Sequence, residues 1–177
     1  VFARFTEEAR KAVIRAGILA LDAGRPTLET DLMLLALAET RPFTLRSFTA
    51  TAAAVRERVG AGDTGALLAT LGIDVDVVRR RTRTGADDPA AWRLRRSRVR
   101  PLRVMLYGPL GQLPLAMHAR KVVEVALWRP GPVTGEHLMW GLLADGANGT
   151  ARVLSDLGVD LRDLVQELGM PVARRSA

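Results

Sequence analysis

Ala9-Arg10-Lys11-Ala12-Val13 returns in the second half of the chain as Ala119-Arg120-Lys121-Val122-Val123. Leu71-Gly72-Ile73-Asp74-Val75 returns as Leu157-Gly158-Val159-Asp160-Leu161, and the Thr30-Asp31 start of an apolar stretch returns as Thr134-Gly135-Glu136. The three echoes keep the same order. Ordered self-similarity of this kind is the mark of a repeated supersecondary unit.

Each copy reads as helices. In the first, Thr6 is placed to cap free backbone N–H groups, and Glu7 and Glu8 sit where the helix dipole favours anions. Ala9, Ala12, Val13, Ala16, Leu19 and Ala20 follow at helical spacing, and Gly24 and Pro26 end the helix. A second helix opens at Thr30-Asp31. Leu32 to Leu35 and Leu37 make it apolar on most sides, which predicts a buried central helix, and Arg41-Pro42 closes it. Thr51 to Val59 forms another short helix within a less regular stretch, 43–62. Short helices follow over 65–72 and 75–83, the first closed by Gly72 and the second capped by Asp74.

The second copy repeats the plan. Leu115 to Leu127 is amphipathic, and Pro130-Gly131-Pro132 stops it. Thr134-Gly135-Glu136-His137 opens the apolar run Leu138 to Leu143. Ala151 to Gly158 and a last helix capped by Asp160 complete it. Between the copies, Gly85-Ala86-Asp87-Asp88-Pro89 is turn-forming, Arg93 to Arg103 is a basic run, and Gly108-Pro109-Leu110-Gly111 is a breaker. This reads as a linker with a short helix or extended piece around Trp92 and Met105. The expected organisation is one repeat over 1–83 with an insertion over 43–62, a linker over 84–112, and a second repeat over 113–177. The expected fold is all-α: two four-helix-type repeats packed into one pseudo-two-fold domain, each burying the apolar face that the other would leave exposed.

Composition narrows the function classes. The 177 residues are 48% hydrophobic but only 5% aromatic, so aliphatic side chains must fill the core. There is no cysteine, which removes disulfides, thiolate catalysis and thiolate-bound metal. His118 and His137 stand in different repeats without a further ligand set, whereas a metal site needs three or four ligands. No Ser-His-Asp arrangement, nucleophile elbow or His-Glu-x-x-His motif is present. Without an apolar run long enough to span a bilayer or a signal-peptide pattern, the expected location is cytoplasmic, away from membranes. An enzyme is the least expected class, and no cofactor is expected.

The repeat resembles the Clp R repeat of the N-terminal domain of Clp-type AAA+ unfoldases. The residues that carry the likeness are Phe2, Phe5-Thr6, Ala9-Arg10-Lys11, Thr30 to Leu37 and Leu71 to Asp74. In the second copy they are Pro114-Leu115, Ala119 to Val123, Glu136 to Leu143 and Leu157 to Leu161. Departures are Leu32 where the family has His, Asp31 for Glu, Leu115 for Phe, and the order Thr134-Gly135. No Gly-x-x-x-x-Gly-Lys-Ser/Thr phosphate loop occurs. The resemblance implies a stand-alone, non-catalytic recognition module that binds substrates, adaptors or degradation tags of a Clp protease, or an unfoldase itself.

Two ligand sites follow from the resemblance. Thr30 and Asp31, with Thr134 and Glu136, correspond to residues that bind phosphoarginine. A carboxylate would hold the guanidinium and the free N–H groups of the helix start would hold the phosphate. The plain alternative is that an acidic residue in a first turn merely stabilises its helix, by about 0.3–1 kcal/mol. Phe2, Phe5 and Leu115 correspond to an apolar patch that takes cyclic peptide antibiotics, and the alternative there is simple packing beside a helix start. A different class rests on charge. The net charge is +7 and all the cations but Lys11 and Lys121 are arginines. Arg93, Arg95, Arg96 and Arg98 offer contacts to an anionic partner: nucleic acid or an acidic protein surface. Few aromatics interleave with them, which argues against stacking on single strands.

Overall fold

The computed structural model describes residues 2–60, 88–96 and 104–170. The expected helices over 65–72 and 75–83 lie outside the described residues. So do the first copy of the Leu-Gly-Ile-Asp echo and Arg98, Arg100 and Arg103.

The helices form where capping and periodicity place them. Helix α1 (Glu7–Asp22) starts behind Thr6, whose hydroxyl oxygen accepts the Ala9 N–H at 3.2 Å. It buries Ala9, Ala12, Val13 and Ala16. Helix α2 (Thr30–Thr40) buries Thr30 and everything from Leu32 to Ala38. It touches α1, a short α3 (Ala52–Arg58), and the later helices α4 (Met117–Trp128), α5 (Gly135–Ala144) and α6 (Thr150–Asp156). The expected central helix is therefore the centre of the described core. Its cap is Glu29, one residue before Thr30, and Arg41 ends it in the left-handed region at φ 44°. Helix α4 buries Ala119, Val122, Val123 and Ala126 at the positions that echo α1. It packs closely on α5: a Cβ on Gly141 would sit 2.5 Å from the Val122 carbonyl oxygen, so only glycine fits the crossing. Helix α7 (Leu161–Glu167) is the last of the described helices, with Asp160 accepting the N–H groups of Arg162 and Asp163 at 2.8 and 3.1 Å.

The entries to the four main helices are tied in pairs. Thr6 donates its N–H to the Val133 carbonyl at 2.9 Å, and Val133 donates to Arg4 at 2.6 Å. Ala116 donates to Leu28 and Leu28 donates to Pro114, both at 2.9 Å. Phe5 thus bridges Val133, and Leu28 bridges Leu115, each in parallel fashion. The entry of α1 holds the entry of α5, and the entry of α4 holds the entry of α2.

The expectation of an all-α fold is corrected by a three-stranded antiparallel sheet: β1 (Arg93–Arg96), β2 (Val104–Gly108) and β3 (Gly111–Pro114), in that spatial order. All three strands fall inside or at the edge of the span read as a linker. The cause is a period-two pattern on which the basic run is superimposed. Leu94, Leu106 and Leu113 stand in register across the sheet and all are buried. The arginines occupy the alternate and terminal positions of β1. A 3-10 turn (Pro89–Ala91) precedes it, and Trp92 is fully buried. The sheet reaches α1 at Gly17, where a Cβ would collide with Leu106. Arg10 fixes the approach by donating to the carbonyls of Pro89 and Trp92.

If this sheet is part of the core, Trp92→Ala will cost about 3–5 kcal/mol of stability. Trp128→Ala, at a position 81% exposed, will stay within about 0.5 kcal/mol. Urea unfolding of the two variants at low protein concentration measures both.

Candidate functional site

The acidic residues expected to meet a ligand lie at matching places, the second residue of α2 and of α5. Their surroundings differ. Asp31 is half-buried. Its Oδ2 accepts a hydrogen bond from Arg25 Nη1 at 2.6 Å, and its Oδ1 accepts the Leu32 N–H at 2.7 Å. Arg25 also reaches Glu29 at 3.3 Å. A guanidinium therefore already rests on the first of the two carboxylates. Thr30, beside it, is buried.

Glu136 faces a loop. Its Oε1 accepts the Thr44 N–H at 3.2 Å. Gly135 lies so close to Pro42 that a side chain there would strike the Pro42 carbonyl. The segment 41–50 is closed on itself. Arg41 donates to the carbonyls of Phe48 and Ala50 at 3.0 and 2.6 Å, and its guanidinium lies 5.2 Å from the Phe48 ring centre. Phe43 meets Phe48 edge to face at 5.1 Å. Glu167 of α7 holds the far side, accepting the N–H groups of Arg46 and Ser47 at 2.8 and 2.9 Å and the Ser47 hydroxyl. The Ser47 and Arg46 donors hold the Glu167 carboxyl below its ordinary range. Two carboxylates, from α5 and α7, thus latch the loop that the sequence left irregular. Arg46, Ser47 and Thr49 line an open depression with Gly158, Asp160, Asp163, Gln166 and Glu167.

His137 completes the α5 start. Its Nδ1 accepts the Thr134 N–H at 3.4 Å. Burial first, then the nearby Arg129 charge, push its pKa below the ordinary histidine value, and this keeps the ring a neutral acceptor. His118 has a partner that spacing did not reveal. Its Nδ1 lies 2.6 Å from Asp145 Oδ2, and Lys121 Nζ lies 3.1 Å from Oδ1. The bond to His118, followed by the Lys121 ammonium, holds the buried Asp145 carboxyl below its ordinary value despite burial. Among the described residues no group of three or more His, Asp or Glu is arranged to hold a metal ion.

The other sequence candidates are scattered. Phe2 and Leu115 are buried, and Phe5 is half-buried. Phe2 meets the Phe5 ring edge-on at 5.3 Å and lies under the Arg10 guanidinium. Arg93, Arg95 and Arg96 are exposed on β1, with no ion pair to another described residue; Arg98 lies outside the described residues. Among the described residues the exposed large apolar side chains are instead Met117, Trp128 and Tyr107. No helix among the described residues is long and apolar enough to cross a membrane.

No family model matches the sequence, and no curated protein matches it. Among solved structures, the chain is similar to the N-terminal domain of the caseinolytic protease associated chaperone ClpD from Arabidopsis thaliana. The TM-score is 0.57 at 20% identity, covering 95% of this chain and 96% of that one. At this identity the likeness is one of fold.

The depressed pKa of His137 has a consequence for stability. The unfolded chain takes up the proton near pH 6.5, before the folded chain does. The contribution of the neutral ring is complete above that pH and is lost as the pH falls from there toward the lower folded-state value. His137→Gln, which keeps an acceptor for Thr134 but cannot titrate, should flatten the pH 7 to 5 part of the stability curve relative to the parent. Unfolding midpoints measured across that range would show the difference.

Proposed function

We propose that this chain is a non-catalytic recognition module of a Clp-type protease system, built from two Clp R repeats over 1–83 and 113–177 with a connecting segment over 84–112. The observation that carries the reading is the fold likeness to a Clp chaperone N-terminal domain over nearly the whole of both chains. Two features support the duplication within it: the reciprocal ties between helix entries, and the matching positions of Asp31 and Glu136. The partners on this reading are substrates, adaptors or an unfoldase of that system.

The ligand we favour is an arginine-bearing tag, phosphoarginine in particular. The support is chemical. Asp31 already accepts a guanidinium at 2.6 Å, a contact that a ligand arginine would reproduce by displacing Arg25. At the second site the ligand would displace the Thr44 N–H from Glu136. The apolar version, sequestration of cyclic peptide antibiotics on Phe2, Phe5 and Leu115, has less support, because Phe2 and Leu115 are core residues.

Calorimetric titration with a phosphoarginine peptide tests the favoured ligand. Asp31→Ala/Glu136→Ala should abolish binding, and Arg25→Ala, which removes the internal competitor, should tighten it several-fold. No heat with the parent or with Arg25→Ala would reject phosphoarginine.

A second reading, a basic nucleic-acid-associated regulator, rests on the exposed Arg93, Arg95 and Arg96. It predicts duplex DNA binding whose logarithmic affinity falls with log salt by about 0.9 per phosphate neutralised. Replacing these three arginines by alanine should lower that slope. A slope unaltered by the triple replacement would count against the reading.

A further inference from the structure

The strongest unexplained surface is on α4. Trp128 is 81% exposed and Met117 67% exposed, at opposite ends of one helix. An exposed tryptophan is a costly surface residue and a frequent interface anchor. The two side chains belong to a single stripe. At 3.6 residues per turn, Met117, Lys121, Glu124 and Trp128 fall within an arc of about 60°, and the stripe runs about 16 Å along the helix. The opposite face of α4 buries Ala119, Val122, Val123 and Ala126 against the core. Lys121 is more than half exposed and Glu124 one-third exposed.

The order of the stripe is self-complementary. Read from one end it is apolar, cationic, anionic, apolar. Laid antiparallel on a copy of itself about a two-fold axis between Val122 and Val123, it sets Met117 against Trp128 and Lys121 against Glu124, twice over. Thioether sulfur on an aromatic ring is a favourable contact at each end of the stripe, and opposite charges face each other at its partly desolvated middle. A two-fold interface requires this match of a patch with its own reverse. Parallel pairing would instead set like charges together. The present partners of the two charges are compatible with it. Lys121 Nζ bonds Asp145 and has further donors, and Glu124 is held by Arg120 only at 3.4 Å.

We infer that the α4 stripe is a self-association surface, on which a second copy of this chain docks antiparallel through Met117, Lys121, Glu124 and Trp128. One helix stripe buries less than the roughly 800 Å² per partner of a stable complex, so the dimer is weak and concentration-dependent. This inference is independent of the proposed ligand.

Sedimentation equilibrium of the chain between about 10 µM and about 1 mM reads it directly, in the concentration range of weak interfaces. The weight-average mass should rise from 19.2 kDa toward twice that value. Trp128→Glu and, separately, Met117→Glu should stay monomeric, and Glu124→Lys should weaken association at least about tenfold, as like charges then face each other. Circular dichroism should show all three folded, because the positions are on the surface. The chain has no native cysteine, so Lys121→Cys mixed with Glu124→Cys in a glutathione buffer should give the mixed disulfide dimer in preference to either homodimer. A parent that keeps the monomer mass up to about 1 mM, the weak end of specific association, overturns the inference. Association that persists in Trp128→Glu, or a preference for the homodimer of the Lys121→Cys variant, overturns it equally.

Discussion

Everything in the described core depends on how the chain enters its four main helices. Phe5, Leu28, Leu115 and Val133 each lie two residues before a helix, and they pair crosswise by backbone hydrogen bonds. Leu28 and Val133 are wholly buried. Backbone groups in such a place must find partners, because an unpaired buried N–H or C=O costs about 1–3 kcal/mol. Each entry satisfies the other, and this sets the starting height of α1 against α5 and of α2 against α4. The apolar faces then meet without a choice of register. The Cβ-free Gly141 under Val122, and the bare Gly17 under Leu106, are consequences of helices and sheet held at those heights.

The helices were legible because their signals are local. Thr6, Thr51 and Asp160 cap where a short polar residue before an apolar period says they should. The sheet was obscured because two patterns overlap in the same residues. Arg93, Arg95 and Arg96 advertise a solvated run, while Leu94, Val104, Leu106 and Leu113 carry the buried alternation of a sheet face. The sequence signal that could have found it is Val104-Met105-Leu106-Tyr107, a β-prone alternation leading into the turn at Pro109-Leu110. The loop latch was not legible at all. Glu136 and Thr44, or Glu167 and Ser47, are brought together only by the tertiary fold, and no spacing rule connects them. The same holds for Asp145, whose carboxylate looks like an ordinary helix-end residue until His118 and Lys121 are placed around it.

The arginine content has a structural use that composition alone hides. Arg4 closes the end of α4 by donating to the carbonyls of Leu127, Arg129 and Gly131, at 2.8 to 2.9 Å. Arg10 ties the sheet to α1, and Arg41 closes the loop after α2. Arg15 and Arg56 share Glu39, and Arg58 pairs with Asp156 across α3 and α6. The planar fork of guanidinium donors suits carbonyls and carboxylates that a lysine would hold less well.

This use of arginine bears on the choice between the two functional readings. A polyanion-binding surface needs cations that are exposed and uncommitted. Many of the described arginines are already spent on carbonyls and carboxylates of the chain itself. Among the described residues, Arg93, Arg95 and Arg96 on β1 are exposed and not committed in this way. At the helix starts the balance is reversed. There a carboxylate stands at the second residue of each of two helices, and one of them, Asp31, accepts a guanidinium of the chain itself.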